Sequence, residues 1–396
     1  MRSISDILVS LCARLLPVDK KCVYVYNILD GFNDSVKYII RKLHERHPDY
    51  KIVWDCSQSM KMTDVPSYIT QVKRGSTEAS YYQTRAKLCL DSYIGIHTWM
   101  YEKNNVSKRL FSEFKLKLMK NSNQIHISTF HGVPYKYIGA KRYGDRVKDY
   151  AFTTSCDYLI LGNRFEEEIY REAYPGNYQF RFLGKANTDI LFETEKQEIL
   201  KKKLGLPTDK KLFLYAPTYR DWCVEGGGLL QMKQIHIPKL LYMLHEKYGG
   251  DWIFGFRVHH YVQEQMEKEA FVYPADGTIV NCNQYDDMAE YMSCCDAFMT
   301  DYSSSVLDLI HTEKPCFLYA NDEEEYMKKR GGLYFSLNEF PYPIVRNNQE
   351  LLEAVTDYDN EQINRKRKCF LEQLGNVSDG HSACRIVDFI DTIISE

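Results

Sequence analysis

No stretch of the 396-residue chain approaches the roughly 18 to 20 consecutive apolar residues that cross a bilayer, and no small-residue cleavage site follows its first apolar run. Neither a membrane span nor a signal peptide is therefore expected. Charge of one sign is also missing. The 51 Lys and Arg stand against 54 Asp and Glu, a net of −3, which gives no basic field to hold nucleic acid through many phosphate contacts. Glycine and proline are sparse, at 21 and 12 residues, which excludes collagen-like and low-complexity chains. The 12 cysteines include no C-x-x-C pair and no Cys/His spacing suited to zinc, so they read as reduced, mostly buried thiols of a cytoplasmic protein. In that setting the sequons at Asn105 and Asn376 are chance matches, because glycosylation needs a secreted chain.

What is present is globular. Apolar residues make up 44% and charged residues 27%, and at about 100 to 200 residues per domain the length predicts two domains, each with its own core. Residues 4 to 16 place Ile4, Ile7, Leu8, Leu11, Leu15 and Leu16 on one helical face, read equally as an interfacial helix or a terminal helix packed on the domain. Short β-rich runs (KCVYVYNI, KIVWDC, HISTF) then alternate with helical periods such as DSVKYIIRKLHERH, which predicts a parallel sheet with crossover helices. From 101 to 120, six Lys and Arg face two Glu, read as a solvated helix face or as a patch for anionic lipid or polymer. The second half repeats the design with CDYLILGN, FRFLG, KLFLYAPT, DWIFGFRV, TIVNC, DAFMTDYSS and PCFLY. The expected domains are 1–190 and 191–396, with the last helix able to pack back on the first.

Five segments carry candidate chemistry. In TDYSSSVLD (300–308) an apolar strand runs into Asp301, Ser303 and Ser304 and then a helix, a turn suited to phosphate through unpaired N–H groups and hydroxyls. Ordinary capping, with Ser305 and Asp308 as a capping box, reads the same residues. FRVHH (256–260) puts Arg257 and His259 at a strand end, where open α/β sheets hold ligands. In STFHGVPYKYIG (128–139) the strand breaks at His131 and Gly132. A histidine there can take a proton near neutral pH, and the glycine allows close approach. LYAPTYRD (214–221) offers Thr218, Arg220 and Asp221, and RGGLYF (330–335) offers Arg330 beside two glycines. Neither matches a P-loop or G-x-G-x-x-G, so ATP hydrolysis and dinucleotide oxidoreduction lose their usual sequence support.

In this order, FHGVPYK, YAPTYR, RVHH, TDYSSSVLD and RGGLYF resemble the motifs of the CDP-glycerol glycerophosphotransferase family, the teichoic acid primases and polymerases. The likeness runs nearly end to end, with HPDYKIVW, RGSTEASYYQTRAK and DGHSACRIVD resembling its flanking segments. Departures are Val133 where the family has Thr, Tyr135 where Leu is common, His260 in place of Pro, and GKANTD (184–189) without the usual Pro and Arg.

The resemblance implies an α/β, GT-B-like fold of two Rossmann-like domains facing a cleft, the second holding the donor. It implies transfer of an alditol phosphate, glycerol phosphate first, from a CDP-alditol to a hydroxyl of a lipid-linked or polymeric acceptor, with release of CMP, at the inner face of the cytoplasmic membrane. By the same resemblance His131 is the base, Arg257 and His259 stabilise the pyrophosphate and departing CMP, and Ser303 and Ser304 bind the same phosphates. Thr218, Arg220, Gly132 and Arg330 complete the donor set, and Asp301 positions its turn. No cofactor, metal or nucleic acid is expected. Because His131 and His259 come from opposite halves, closure on donor binding is expected as well. Two other readings stay open: a GT-B sugar-nucleotide glycosyltransferase or epimerase, and a non-catalytic polymer-binding paralogue.

Overall fold

A computed structural model describes residues 12–29, 31–57, 64–220, 234–258 and 273–395, with 9, 262 and 266. His259, His260, Asp221 and most of the apolar stretch 4–16 lie outside the described residues. The chain divides into two compact units, one of Met1–Val133, Ile138–Asp189 and Gly375–Glu396, the other of Pro134–Tyr137 and Ile190–Leu374.

Unit 1 begins with β1 (Asp19–Tyr26), α1 (Asp34–Arg46), β2 (Lys51–Cys56), β3 (Ile69–Lys73), α2 (Thr77–Arg85), β4 (Ala86–Asp91), β5 (Thr98–Glu102), α3 (Val106–Met119), β6 (Ile125–Ser128), β7 (Tyr150–Thr154), β8 (Tyr158–Leu161), α4 (Phe165–Ala173) and β9 (Gln179–Phe182). Seven strands form one sheet in the order β3-β2-β1-β4-β6-β8-β9, every pairing parallel. Parallel strands are covered on both faces, which is why KCVYVY and KIVWDC are apolar at successive positions rather than alternating. Val23, Val25, Ile52 and Trp54 pack on one side, while Cys22, Tyr24, Val53 and Cys89 pack on the other with Ala79 of α2. On α1, the spacing of Val36, Ile39, Ile40 and Leu43 gives a single buried stripe.

Unit 2 contains α5 (Gln197–Lys203), β10 (Lys211–Tyr215), α6 (Ile237–Tyr248), β11 (Trp252–Phe256), β12 (Ile279–Asn281), α7 (Met288–Cys294), β13 (Ala297–Thr300), α8 (Ser305–Leu309), β14 (Cys316–Tyr319), α9 (Glu323–Arg330), β15 (Ile344–Val345), α10 (Asn348–Asp357) and α11 (Asn360–Leu374). Its six-stranded sheet, β12-β11-β10-β13-β14-β15, is also parallel throughout.

The chain then returns to unit 1 as α12 (Ser382–Ser395), which lays Ile386, Val387, Ile390 and Ile393 in the same core as α1. Asp189 fastens it by accepting the main-chain N–H of Ser382 and Ala383 at 3.0 and 2.7 Å. A carboxylate at a helix N-terminus satisfies donors that the helix itself cannot.

Both sheets wind outward in two directions from a central pair of strands, β1 and β4 in unit 1 and β10 and β13 in unit 2. In such sheets the loops leaving the carboxyl ends of the central pair diverge and leave a crevice, where ligands bind. That rule directs attention to Asn27 and Ser92 in one unit, and to Ala216–Arg220 and Asp301–Ser304 in the other.

Candidate active site

In unit 1, His131 follows β6 on a backbone that bends sharply. Phe130 has φ 55° and Gly132 φ 76°, so left-handed residues flank the histidine, and Phe130 does so with a side chain that disfavours it. The His131 ring stacks on Phe130 at 4.3 Å between centroids. Its Nδ1 lies 3.2 Å from the main-chain oxygen of Ser92. A carbonyl only accepts, so Nδ1 carries the proton and Nε2 keeps its lone pair. Burial depresses the imidazole to about 4, outweighing the Ser92 hydrogen bond, so the ring is neutral at pH 7.

The Ser92 carbonyl is held from several directions. Its hydroxyl donates to Asn27 Oδ1 at 2.7 Å and accepts the N–H of Ile28 at 3.0 Å. Asp91, fully buried, accepts the N–H groups of Tyr93 and Gly95 at 2.9 and 3.0 Å and the hydroxyl of Ser128 at 2.7 Å. It thereby ties the end of β4 to the end of β6 on either side of the histidine. Burial raises the Asp91 carboxyl to about 6, its hydrogen bonds only partly offsetting the cost. Asn27, Asp91 and Ser92 escape the sequence reading. Their signal is polar residues closing apolar strands, VYVYN and LCLDS, as happens at His131.

Buried Lys185 lies one layer deeper, with Nζ 2.8 Å from Glu166 Oε1 and 2.8 Å from the carbonyl of Thr129. Here Lys185 of the GKANTD segment braces the chain just before His131.

In unit 2 the turn after β13 separates into a buried frame and a half-exposed rim. Asp301 is buried and accepts the N–H groups of Thr218 and Tyr302 at 2.9 and 2.7 Å. Arg220 bridges it to Asp322: Nη1 reaches Asp301 at 2.6 Å, while Nε and Nη2 reach Asp322 at 2.7 and 2.9 Å. Nη1 also donates to the carbonyl of Thr218, and the guanidinium lies beside the rings of Tyr302 and Tyr326. This corrects one expectation. Arg220 is committed to two carboxylates and is 1% exposed, so it frames the turn and offers no fork to a phosphate. Asp301 holds the turn, with no side-chain oxygen turned outward to a ligand.

Arg257 is half-buried and is held by carbonyl groups rather than by carboxylates. Its Nη1 donates to the carbonyls of Cys282 and Tyr285 at 2.7 and 2.8 Å and its Nη2 to that of Asp286 at 2.7 Å, fastening the segment after β12. Burial lowers its pKa. The capping-box reading of Ser305 and Asp308 fails too, since Ser305 is the first residue of α8 and the cap position belongs to Ser304, whose side chain makes no capping bond. Ser303 Oγ is bonded to Ser305 Oγ at 2.9 Å. The Thr218 hydroxyl oxygen is buried without a hydrogen-bond partner at the same strand end, the condition of a group kept for something else. Arg330 closes α9, where Gly331 takes the left-handed cap, and its Nη2 lies 3.5 Å from the carbonyl of Tyr219. Among the described residues, no three His, Cys, Asp or Glu side chains gather in a metal-ligand group.

The structure thus gathers Thr218, Arg220, Asp301, Ser303, Ser304 and Arg330 at one end of the unit 2 sheet. His131 and Gly132 stand at the corresponding end of unit 1.

Comparison with known proteins bears on the fold and the family. The chain is 27% identical over 386 residues to the teichoic acid poly(glycerol phosphate) polymerase of Staphylococcus epidermidis, covering 92% of this chain and 50% of that one. It is 26% identical over 359 residues to the polymerase of that name from Bacillus subtilis, covering 87% and 44%. The chain therefore spans about half the length of these two relatives. With the teichoic acid glycerol-phosphate transferase of Staphylococcus aureus it shares 25% over 381 residues, 91% of this chain and 90% of that one. The solved wall teichoic acid polymerase TagF matches with a TM-score of 0.75 at 24% identity over 99% of this chain and 93% of that one, and Staphylococcus aureus MnaA with UDP matches with 0.50 at 14% over 95% and 97%. These likenesses show the fold, which is GT-B-like. The family model described as CDP-Glycerol:Poly(glycerophosphate) glycerophosphotransferase matches residues 8–392, and the chain belongs to that family.

Proposed function

We propose that the protein transfers an alditol phosphate, most readily glycerol phosphate, from a CDP-alditol to a hydroxyl of a lipid-linked or polymeric acceptor in the synthesis of teichoic acid or a related surface polymer. The acceptor oxygen attacks the β-phosphorus, a P–O bond forms, the bond to the bridging oxygen breaks, and CMP leaves. Phosphoryl transfer asks the protein for position and charge stabilisation.

The observation that carries this reading is the fixed tautomer of His131. Its Nδ1–H is spent on Ser92, so Nε2 is free to receive the proton of the attacking hydroxyl. A base with a pKa near 4 is fully unprotonated at neutral pH but weak. Negative charge brought by the donor raises it toward the working range. Unit 2 supplies phosphate contacts from Ser303, Ser304 and Thr218, held in place by Asp301 and Arg220, with His259 assigned to the same phosphates by the family motif.

The described residues contain no helix long and apolar enough to cross a membrane. Peripheral attachment is carried by α3. Along it Val106, Leu110, Phe111, Phe114 and Leu118 are exposed, and Lys108, Arg109, Lys115 and Lys117 lie among them. Apolar side chains outward with cations around them suit the headgroup boundary of an anionic membrane. Five large exposed apolar residues on one helix support this reading over a purely solvated face.

The test is CMP release from CDP-glycerol and CDP-ribitol with a polyol-phosphate acceptor. Wild type releases CMP with one donor, and His131→Ala slows release by about 10² to 10⁴-fold, the usual size of general-base catalysis. Release that survives the substitution in a folded protein sinks the assignment of the base.

A further inference from the structure

On the α2 side of the unit 1 sheet, toward the carboxyl ends of β1 to β3, lies a cavity of about 320 Å³. This is near the lower bound of small-molecule sites, about 300 to 1,000 Å³. Its walls combine apolar surface from Tyr24, Tyr26 and Ile96 with the polar side chains of Asp55, Arg74, Ser80, Gln83 and His97. Asp55, Ser80, Gln83 and His97 are all buried. A mostly apolar hollow with a few fixed polar groups is the composition that orients a small ligand.

The electrostatics narrow the ligand class. Arg74 Nε lies 3.0 Å from Asp55 Oδ1, and the hydroxyl of Tyr24 donates to Asp55 Oδ2 at 2.6 Å. Cation and anion therefore cancel within the wall, and the hollow offers no net charge to a phosphate. To this neutral wall Ser80 and Gln83 add a hydroxyl and an amide, groups that exchange hydrogen bonds with hydroxyls rather than bind a charge. Arg74 also lies over the Tyr26 ring at 4.6 Å, which fixes the guanidinium in the wall.

This wall is joined to the proposed base. Arg74 Nη2 donates to the carbonyl of Asn27 at 2.9 Å, Asn27 Oδ1 accepts from the Ser92 hydroxyl at 2.7 Å, and the Ser92 carbonyl accepts from His131 Nδ1 at 3.2 Å. The cavity and His131 share one edge of one sheet and one hydrogen-bonded chain. We infer that the cavity is the subsite for an uncharged, hydroxyl-rich unit of the acceptor, a polyol or sugar residue. Its identification as the acceptor's rests on the function proposed above. The binding of such a unit does not.

Two experiments separate the claims. Saturation-transfer NMR with glycerol and with N-acetylglucosamine detects binding without any reaction, in wild type and in Gln83→Met and Ser80→Ala, whose folding is checked by thermal unfolding. Signals from at least one probe, weakened in both variants and not displaced by inorganic phosphate, are expected. No signal in wild type, equal signals in the variants, or displacement by phosphate overturns the site. In the CMP-release assay each variant raises the acceptor KM about tenfold, the loss of one hydrogen bond to an uncharged group, and leaves the donor KM unchanged. A raised donor KM with an unchanged acceptor KM overturns the assignment to the acceptor. If wild type releases no CMP while probe binding is lost in both variants, the proposed function falls and the subsite stands.

Discussion

Replacing Lys185 by methionine isolates the buried ion pair beneath the His131 loop. Lys185 and Glu166 are 2% and 0% exposed and 2.8 Å apart, and Glu166 Oε2 also accepts the N–H groups of Gly162 and Asn163 at 2.5 and 3.2 Å. Burial pushes the Glu166 carboxyl up, and Lys185 is the leading influence holding it down. Methionine keeps much of the volume but strands a carboxylate in the core, a loss of about 3 to 5 kcal/mol. At about 2 to 4 °C per kcal/mol for a unit of this size, the unit 1 transition should fall by about 6 to 20 °C in calorimetry near neutral pH. The double variant Lys185→Met/Glu166→Gln should recover most of the loss, because replacing both partners by neutral groups is often close to neutral. In the single variant the Glu166 pKa lies above its unfolded value. Its cost is then absent at low pH and develops as pH rises through the folded value, so the deficit narrows on acidification. A deficit under about 1 kcal/mol, or a double variant no better than the single one, would refute the reasoning.

Other consequences are equally concrete. With burial lowering His131 to about 4, the acid limb of kcat/KM should fall near pH 4 rather than near 6.5, and a limb at 6.5 would mean the imidazole is not desolvated in the free enzyme. Arg220→Met leaves Asp301 and Asp322 facing each other without their cation, so the unit 2 transition should drop by about 3 to 5 kcal/mol, whereas a stable variant with impaired activity alone would restore Arg220 to the phosphate site. Phe111→Asp with Phe114→Asp should abolish co-sedimentation with anionic vesicles while CMP release with a soluble acceptor persists; retained binding removes α3 from the membrane contact.

Much of the site was legible because it sits where strands end. Apolar runs that stop abruptly at His131-Gly132, Ala216-Pro217-Thr218 and Asp301-Tyr302-Ser303 betray the carboxyl edge of a parallel sheet, and one residue order suffices to see it. Roles were less legible than positions. Arg220 and Arg257 look alike in sequence, as basic residues just past a strand, and both read as phosphate ligands. Their guanidinium partners come from segments brought alongside by strand order: Asp301 and Asp322 lie 81 and 102 residues from Arg220, and the carbonyls that Arg257 binds belong to the segment after β12.

The α3 segment shows the converse. Its charges suggested either a solvated face or a lipid patch, and sequence periodicity could not choose, since it reports which residues share a side of a helix but not whether that side meets a neighbour. Among the described residues, Val106, Leu110, Phe111, Phe114 and Leu118 stand exposed, a fact only the packed chain reports.

By itself, then, the sequence determined the alternation of strands and helices, the α/β class with parallel sheets and the family, because local periodicity and short motifs are written in neighbouring residues. Tertiary structure alone decided which nitrogen of His131 holds its proton, through a carbonyl 39 residues away, and which residue fastens the returning α12, Asp189, 193 residues before it. Hydrogen-bond partners distant along the chain are chosen by the order in which strands assemble, and that order is a property of the packed whole.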